Sequence, residues 1–192
     1  MFKEISNISF PEFKRINVNM MPFIFGDIQS IPVEMCDYYD IIDSCNFENG
    51  STCYFTITET MVEKSKSQRR GGIHVESPLG LSWGGGWGGI TSDVGLYMAS
   101  TDGRTEVWDT MQPERDNHGR CEPLGDSHIM KPRTMYWMTD LTPHAALPSL
   151  VDGRRQFIRV VSSKVDVWYK QHSSVNPLGI QPNAKIIETS KF

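Results

Sequence analysis

The chain of 192 residues lacks three features, and each absence disfavours a class of protein. No apolar run approaches the roughly 20 residues that a membrane-spanning helix needs. The residues that follow Met1 contain no apolar stretch of the kind that a signal peptide carries. The net charge of −4 gives no basic excess, which disfavours nucleic acid as a partner. We therefore expect a cytoplasmic protein that acts on neither membranes nor nucleic acid.

Cysteine is also scarce, and its spacing carries no metal-binding pattern. The chain has four cysteines, none in a Cys-x-x-Cys pair, which disfavours a zinc knuckle. We expect reduced and mostly buried thiols. A bridge between Cys45 and Cys53 is the alternative, supported only by their proximity in the sequence.

The composition is that of an ordinary globular protein, with 39% hydrophobic and 22% charged residues. A chain of this length can bury roughly 70% of the surface of its unfolded state, so a core can form without staples. No linker and no internal repeat divides the sequence. We expect one domain over residues 1–192.

Short β-strands dominate the predicted secondary structure. β-branched and aromatic content predicts strands at residues 53–58, 96–99, 104–108, 134–140, 154–161 and 160–169. Pro32 is well placed to open one amphipathic helix over residues 33–45, with Cys36, Tyr39 and Ile42 on its apolar stripe. The tail, residues 171–192, is predicted to be mostly irregular. Many strands without βα alternation favour a sandwich, jelly roll or barrel over a parallel α/β sheet.

A glycine-rich segment, residues 79–90, formally matches G-x-G-x-x-G. We reject a dinucleotide site because that loop must open a helix after a strand, and the residues that follow are strand-like. With Trp83 and Trp87 within it, the segment is predicted to be either a lid over a site or a surface turn.

The most informative residues are two histidines and a glutamate. On an extended strand, His74 and Glu76 point to the same side and Val75 to the other. His144 would add a third ligand from another strand. Two imidazoles and one carboxylate on one face of an iron ion leave the opposite face open, which is the arrangement of non-haem Fe(II) sites. We expect these three side chains to converge.

The strand that follows His144 carries two arginines on one face. Arg155, Phe157 and Arg159 share one face, whereas Gln156, Ile158 and Val160 share the other. Arginines that are buried on a strand need anionic partners. A guanidinium binds a carboxylate through two parallel hydrogen bonds, so this face is suited to a carboxylate ligand.

With these residues, positions 70–162 resemble the Fe(II)/2-oxoglutarate-dependent oxygenases. The motif of that family is His-x-Asp/Glu, a distal His, and an Arg or Lys about ten residues later. It is matched by His74, Glu76, His144 and Arg155. Most members carry Asp where this chain has Glu76. The resemblance implies a double-stranded β-helix (jelly roll), here with one or a few N-terminal helices on the sheet. It also implies Fe(II) as cofactor, and 2-oxoglutarate and O2 as co-substrates.

The resemblance also implies roles for residues around the iron. Arg155, with Arg159 as second candidate, would bind the distal carboxylate of 2-oxoglutarate. Tyr136 is a candidate hydrogen-bond partner of the co-substrate, with a core position as the alternative. The basic pair Arg69 and Arg70 is interpreted as solvated, with substrate contact as the alternative. The substrate would be a small molecule or a peptide, and the sequence leaves the oligomeric state open.

Two other functions remain open at this stage. A cupin-like or jelly-roll protein could bind the metal without oxygenase activity, because a fold does not determine a function. A non-catalytic interaction domain is the other alternative, and it predicts that the two histidines lie apart.

Overall fold

The computed structural model describes residues 1–77, 95–110, 114–123 and 125–189. Within these ranges the protein is mainly β, as predicted, with a few short helical segments. The strands are β1 (Phe2–Asn7), β2 (Asn17–Ile24), β3 (Thr52–Val62), β4 (Leu96–Ser100), β5 (Thr105–Trp108), β6 (Ser127–Ile129), β7 (Thr134–Met138), β8 (His144–Ala146), β9 (Gly153–Val161), β10 (Val167–Tyr169) and β11 (Lys185–Ile187). The helical segments are two 3₁₀ helices, Ile28–Ser30 and Val33–Tyr38, and the α-helix α1 (Tyr39–Asp43).

The larger sheet has six antiparallel strands in the order β1-β7-β4-β9-β3-β2. Strand β9 lies at its centre, between β3 and β4. Arg159 on β9 faces Thr56 on one side and Met98 on the other. Because successive side chains of a strand point to opposite faces, this strand contributes to both sides of the sheet.

One face of the larger sheet carries an apolar core beneath the N-terminal segments. Ile158 and Val160 of β9 belong to this cluster. It also contains Tyr38, Ile41 and Ile42 from the helical segments, so these segments cover the sheet. The expected packing of a helix near the N-terminus on a sheet is therefore confirmed.

The helical segment is shorter than the predicted helix, and it buries a different face. Residues 33–38 form a 3₁₀ helix before α1 begins. Tyr38, Ile41 and Ile42 are buried, whereas Cys36 and Tyr39 are only half-buried. Residues three apart stay aligned in a 3₁₀ helix, so the segment differs from the prediction by a rotation that turns the neighbouring row, with Tyr38 and Ile41, toward the sheet. The predicted stripe of Cys36, Tyr39 and Ile42 is correct only at Ile42.

The smaller sheet has three strands in the order β6-β5-β8. An isolated bridge pairs His74 with His144 of β8, and a second bridge pairs His74 with Arg120. Val107 of β5 lies in one apolar cluster with Met98 and other side chains of the larger sheet. The smaller sheet therefore packs on the face of the larger sheet that the N-terminal segments leave uncovered.

The tail contains regular structure that the sequence analysis does not predict. Strand β11 pairs in parallel with β10. The β pair predicted over residues 160–169 is present at its two ends, in β9 and β10, whereas residues 162–166 are not strand. Trp168 of β10 donates from Nε1 to the carbonyl oxygen of Met20 at 2.8 Å, which fixes this pair beside β2. Three-residue strands are too short to show a period in the sequence.

All four cysteines are free thiols, so Cys45 and Cys53 are not bridged. The glycine-rich segment with Trp83 and Trp87 lies outside the described residues. In the part of the chain that the structure describes, no helix has the length and apolar character needed to cross a bilayer.

Candidate metal centre

The structure brings together the three residues that the sequence analysis identifies as metal ligands. One ligand atom from each of His74, Glu76 and His144 lies within 4.8 Å of the others. The two imidazole rings have their centroids 4.6 Å apart, and Nε2 of His144 lies 3.4 Å from Oε1 of Glu76. The predicted convergence of the two histidines and the carboxylate is therefore confirmed.

Backbone pairing positions these side chains. His74 donates its N–H to the carbonyl oxygen of His144 at 3.0 Å, and His144 returns the bond at 2.9 Å. Residues paired in this way stand directly opposite each other, and their side chains emerge on the same face. The N–H of Glu76 is held by the carbonyl oxygen of Asp140 at 3.0 Å. The segment forms bridges rather than the predicted strand, but it presents His74 and Glu76 together as expected.

Each histidine has one ring nitrogen fixed by the backbone. Nδ1 of His74 lies 2.8 Å from the carbonyl oxygen of Gly72, and Nδ1 of His144 lies 3.0 Å from that of Thr142. A carbonyl oxygen can only accept, so Nδ1 must carry the proton in both rings. A neutral imidazole with its proton on Nδ1 presents Nε2 as a lone-pair donor, which is the tautomer that a metal ligand requires.

The protonation states also suit a cation. Burial, and then the neighbouring His144, lowers the pKa of His74 to about 3, so this imidazole is neutral at pH 7. Burial alone would raise the pKa of Glu76, but Arg159 and His144 together hold it well below its ordinary value. His74 is thus a neutral lone-pair donor and Glu76 an ionised one, and both forms bind a cation.

The spacing of His144 and Glu76 matches a first-row divalent ion. Two ligands bound at about 2.1 Å lie roughly 3.0–3.4 Å apart for coordination angles between 90° and tetrahedral. The separation of 3.4 Å between His144 and Glu76 falls in this range. Two imidazoles with one carboxylate are ligands that Fe(II), Zn(II) and related ions accept. The donor set therefore fits a metal ion, although it does not by itself select one metal.

A cavity opens over the three ligands, between the two sheets. Its apolar wall includes Met98 and Phe157 of the larger sheet. Its polar lining, apart from the ligands themselves, consists of Asn19, Arg69, Arg70, Thr105, Arg159 and His172. Residues from both sheets and from the C-terminal segment thus enclose the same space.

The two arginines predicted on β9 have different surroundings. Arg159 lines the cavity, and its Nη1 donates a short hydrogen bond to Oε1 of Glu76. Arg155 is 4% exposed and does not line the cavity. Its Nε donates to Asp102 at 2.6 Å and its Nη1 to Gln68 at 2.8 Å. Its Nη2 is buried without a hydrogen-bond partner among the described residues. The first candidate for the co-substrate carboxylate is therefore already paired with an acidic side chain.

Tyr136 does not line the cavity either. Its hydroxyl accepts from the N–H of Lys131 at 3.0 Å and donates to Glu4 at 3.3 Å. The side chain is buried in the apolar cluster between the sheets. The alternative of a core position describes this tyrosine better than contact with a co-substrate.

The cavity also contains residues that the sequence analysis does not assign to it. Arg69 and Arg70 are half-buried in its wall, so the interpretation as a solvated pair is wrong. Asn19 and His172 come from the strand β2 and from the tail, far from the motif in sequence. No spacing pattern in the sequence links Asn19 or His172 to the motif. The basic pair, in contrast, lies directly before the motif, five and four residues ahead of His74.

The chain matches no protein family, no curated protein and no solved structure. Its function must therefore be argued from the geometry of this site.

Proposed function

We propose that this chain is an Fe(II)/2-oxoglutarate-dependent oxygenase with a jelly-roll fold. The observation that carries the proposal is the cluster of His74, Glu76 and His144 with both Nε2 atoms available, at the base of a cationic cavity. Two histidines and a carboxylate that occupy one face of a metal leave positions for a chelating co-substrate and O2.

The strand order supports the jelly roll. Between β3 and β9 the chain passes repeatedly from one sheet to the other: β3, β4, β7 and β9 belong to the larger sheet, whereas β5, β6 and β8 form the smaller sheet and His74 bridges to β8. The neighbours are β3-β9-β4-β7 in one sheet and His74-β8-β5-β6 in the other. Two opposed antiparallel sheets of four strands each are what a jelly roll requires.

Each residue of the site then has a role. His74, Glu76 and His144 hold the iron, and Arg159 orients the carboxylate of Glu76. Met98 and Phe157 exclude water from one wall of the cavity, which strengthens electrostatic interactions within it. When bound, Fe(II) and 2-oxoglutarate supply the activation of O2. The substrate is a small molecule or a peptide that reaches the metal through the cavity.

The direct test is the visible charge-transfer band of Fe(II) and 2-oxoglutarate in anaerobic protein. We expect the band in the wild type and in His128→Ala, which changes an exposed histidine outside the cavity. We expect no band in His144→Ala, because one ligand is removed. Absence of the band from the wild type would contradict the proposal.

A metal-binding jelly-roll protein without oxygenase activity is the second candidate. The observation in its favour is that Arg155, the residue at the family's carboxylate-binding position, is paired with Asp102 and Gln68. This candidate predicts that Fe(II) binds but that no band appears on addition of 2-oxoglutarate. It also predicts that no succinate forms under air.

A further inference from the structure

The cavity carries more positive than negative side chains. Arg69, Arg70 and Arg159 line it, and Glu76 is the carboxylate among its described lining residues. Arg159 is paired with Glu76, and Arg70 donates to the carbonyl oxygen of His118 at 3.0 Å. A bound divalent ion would add further positive charge. A ligand that completes this site should therefore carry more than one negative charge.

Arg69 forms no ion pair within the described residues, and Glu76, the acid that acts on it electrostatically, is already paired with Arg159. Its guanidinium lies 5.1 Å from the centroid of the Phe157 ring, and its Nη1 is 3.4 Å from Oγ1 of Thr58. No carboxylate within the described residues forms an ion pair with it. Burial, and then repulsion from Arg159, lowers the pKa of Arg69 to about 10, so the side chain is still charged at pH 7. A half-buried cation in such surroundings is stabilised by an anionic ligand.

The register of the sheet places Arg69 at a useful distance from the metal ligands. Thr58 pairs with Phe157, and the next pair on the same face is Thr56 with Arg159. Two residues along a strand span about 6.6 Å. Arg69 therefore stands one side-chain row farther from Glu76 than Arg159 does. That offset is comparable to the length of a five-carbon acid that is held at one end by the metal.

We propose that Arg69 receives the distal carboxylate of the co-substrate, in the role that the family resemblance gives to Arg155. This inference rests on the proposed function and assigns the ligand as a 2-oxo dicarboxylate. Arg69 lies in the cavity wall, whereas Arg155 lies outside the lining. A carboxylate bound to Arg155 would have to compete with Asp102, which already accepts from its Nε.

The test compares two acids of equal chain length with Fe(II)-loaded, anaerobic protein. 2-Oxoglutarate has the distal carboxylate and 2-oxopentanoate lacks it. Dissociation constants are measured by the charge-transfer band for wild type, Arg69→Gln, Arg155→Gln and Arg154→Gln. Arg154 is an exposed neighbour on β9 and serves as the matched control. Thermal melts of each variant confirm folding.

If Arg69 binds the distal carboxylate, Arg69→Gln weakens 2-oxoglutarate about 10- to 100-fold, the range for loss of charge-assisted hydrogen bonds. The same variant changes 2-oxopentanoate binding by less than about threefold, because that acid never uses the guanidinium. Arg155→Gln and Arg154→Gln leave the preference for 2-oxoglutarate intact. Arg69→Lys keeps the charge without the paired donors, so its loss is intermediate.

Other outcomes separate this inference from the proposed function. If Arg69→Gln binds 2-oxoglutarate as tightly as wild type, Arg69 does not bind the carboxylate, although the oxygenase proposal survives. If only Arg155→Gln loses the preference for 2-oxoglutarate over 2-oxopentanoate, Arg155 binds the distal carboxylate. If the wild type binds Fe(II) but neither acid gives a band, the proposed function and the role of Arg69 fall together.

Discussion

At the scale of single residues, the charge of Glu76 is the most consequential feature of the site. Its side chain is 12% exposed and pairs with Arg159, whose own side chain is 5% exposed. Removing one partner of a buried ion pair leaves an uncompensated charge in the interior. Arg159 therefore contributes to the stability of the fold as well as to the orientation of a metal ligand.

The substitution Arg159→Gln tests this contribution. Without added metal we expect a loss of about 3 kcal/mol in the free energy of unfolding, because the carboxylate of Glu76 stays buried without its cation. A thermal melt should show a midpoint lower by about 6–12 °C. Saturating Mn(II) should recover much of the loss, since the ion replaces the missing charge. Arg154→Gln is the control. Equal melting temperatures for Arg159→Gln and the wild type would show that Arg159 does not stabilise the fold.

The same variant has a defined dependence on pH. In the wild type the pKa of Glu76 lies well below its ordinary value of 4.5, because Arg159 and His144 outweigh burial. Its ionised form therefore stabilises the fold above pH 4.5, and this contribution is lost as the pH falls through the folded value. In Arg159→Gln burial raises the pKa instead, and protonation relieves the buried charge. The difference in free energy of unfolding between the wild type and Arg159→Gln, measured by urea titration, should therefore become smaller from pH 7 to pH 4.

At the scale of elements, a buried carboxylate joins three parts of the chain on the far face of the larger sheet. Glu59 of β3 is 2% exposed and accepts from the backbone N–H groups of Lys14 at 2.6 Å and Ile16 at 3.0 Å. It also accepts from the hydroxyl of Tyr38 at 2.6 Å and from Nε2 of Gln156 at 3.1 Å. The side chain of Glu59 thus connects the N-terminal segment, the helical segment and the sheet through hydrogen bonds.

We predict that Glu59→Gln destabilises the protein by about 2–3 kcal/mol, because an amide replaces an acceptor of charge-assisted hydrogen bonds with a group that also donates. Tyr38→Phe removes one of these bonds and should cost about 1 kcal/mol. Urea denaturation measures both. A Glu59→Gln variant no less stable than Tyr38→Phe would show that the carboxylate does not hold these elements together.

Sequence reasoning succeeded where a period or a short spacing was involved. The two-residue alternation along β9 was readable from Arg155 to Val160, and His74 with Glu76 form a local pattern. It failed for the apolar stripe of the helical segment, because the row with Tyr38 and Ile41 is also apolar and tertiary packing buries that row instead. It also missed His172, because tertiary contacts with β2 bring the tail to the cavity, and no local pattern records such contacts.

At the scale of the whole molecule, the candidate ligands join separate parts of the fold. His74 and Glu76 lie on the segment after β3, His144 belongs to β8 of the smaller sheet, and Arg159 belongs to the larger sheet. An ion held by these groups therefore restrains both sheets at once. Binding that is specific to the folded state adds its free energy to the free energy of unfolding.

Metal addition should accordingly raise the melting temperature. At a free Mn(II) concentration 100-fold above its dissociation constant, the gain is about 2.7 kcal/mol. For a chain of this size we expect a rise of about 5–11 °C. His144→Ala should show little or no rise, whereas His128→Ala should behave as the wild type. A rise of equal size in His144→Ala would indicate that the ion binds elsewhere.

The side chains of β9 alternate between the core and the side of the metal ligands, and this alternation restricts insertions and deletions in the strand. Odd-numbered positions from Arg155 to Arg159 face the side of the metal ligands, and the even-numbered Ile158 and Val160 face the apolar core. A one-residue insertion or deletion within the strand would exchange the two sets. Charged groups would then enter the core at the same time as apolar groups entered the site. The length of strand β9 is therefore constrained by two unrelated demands, the packing of the core and the placement of the site residues.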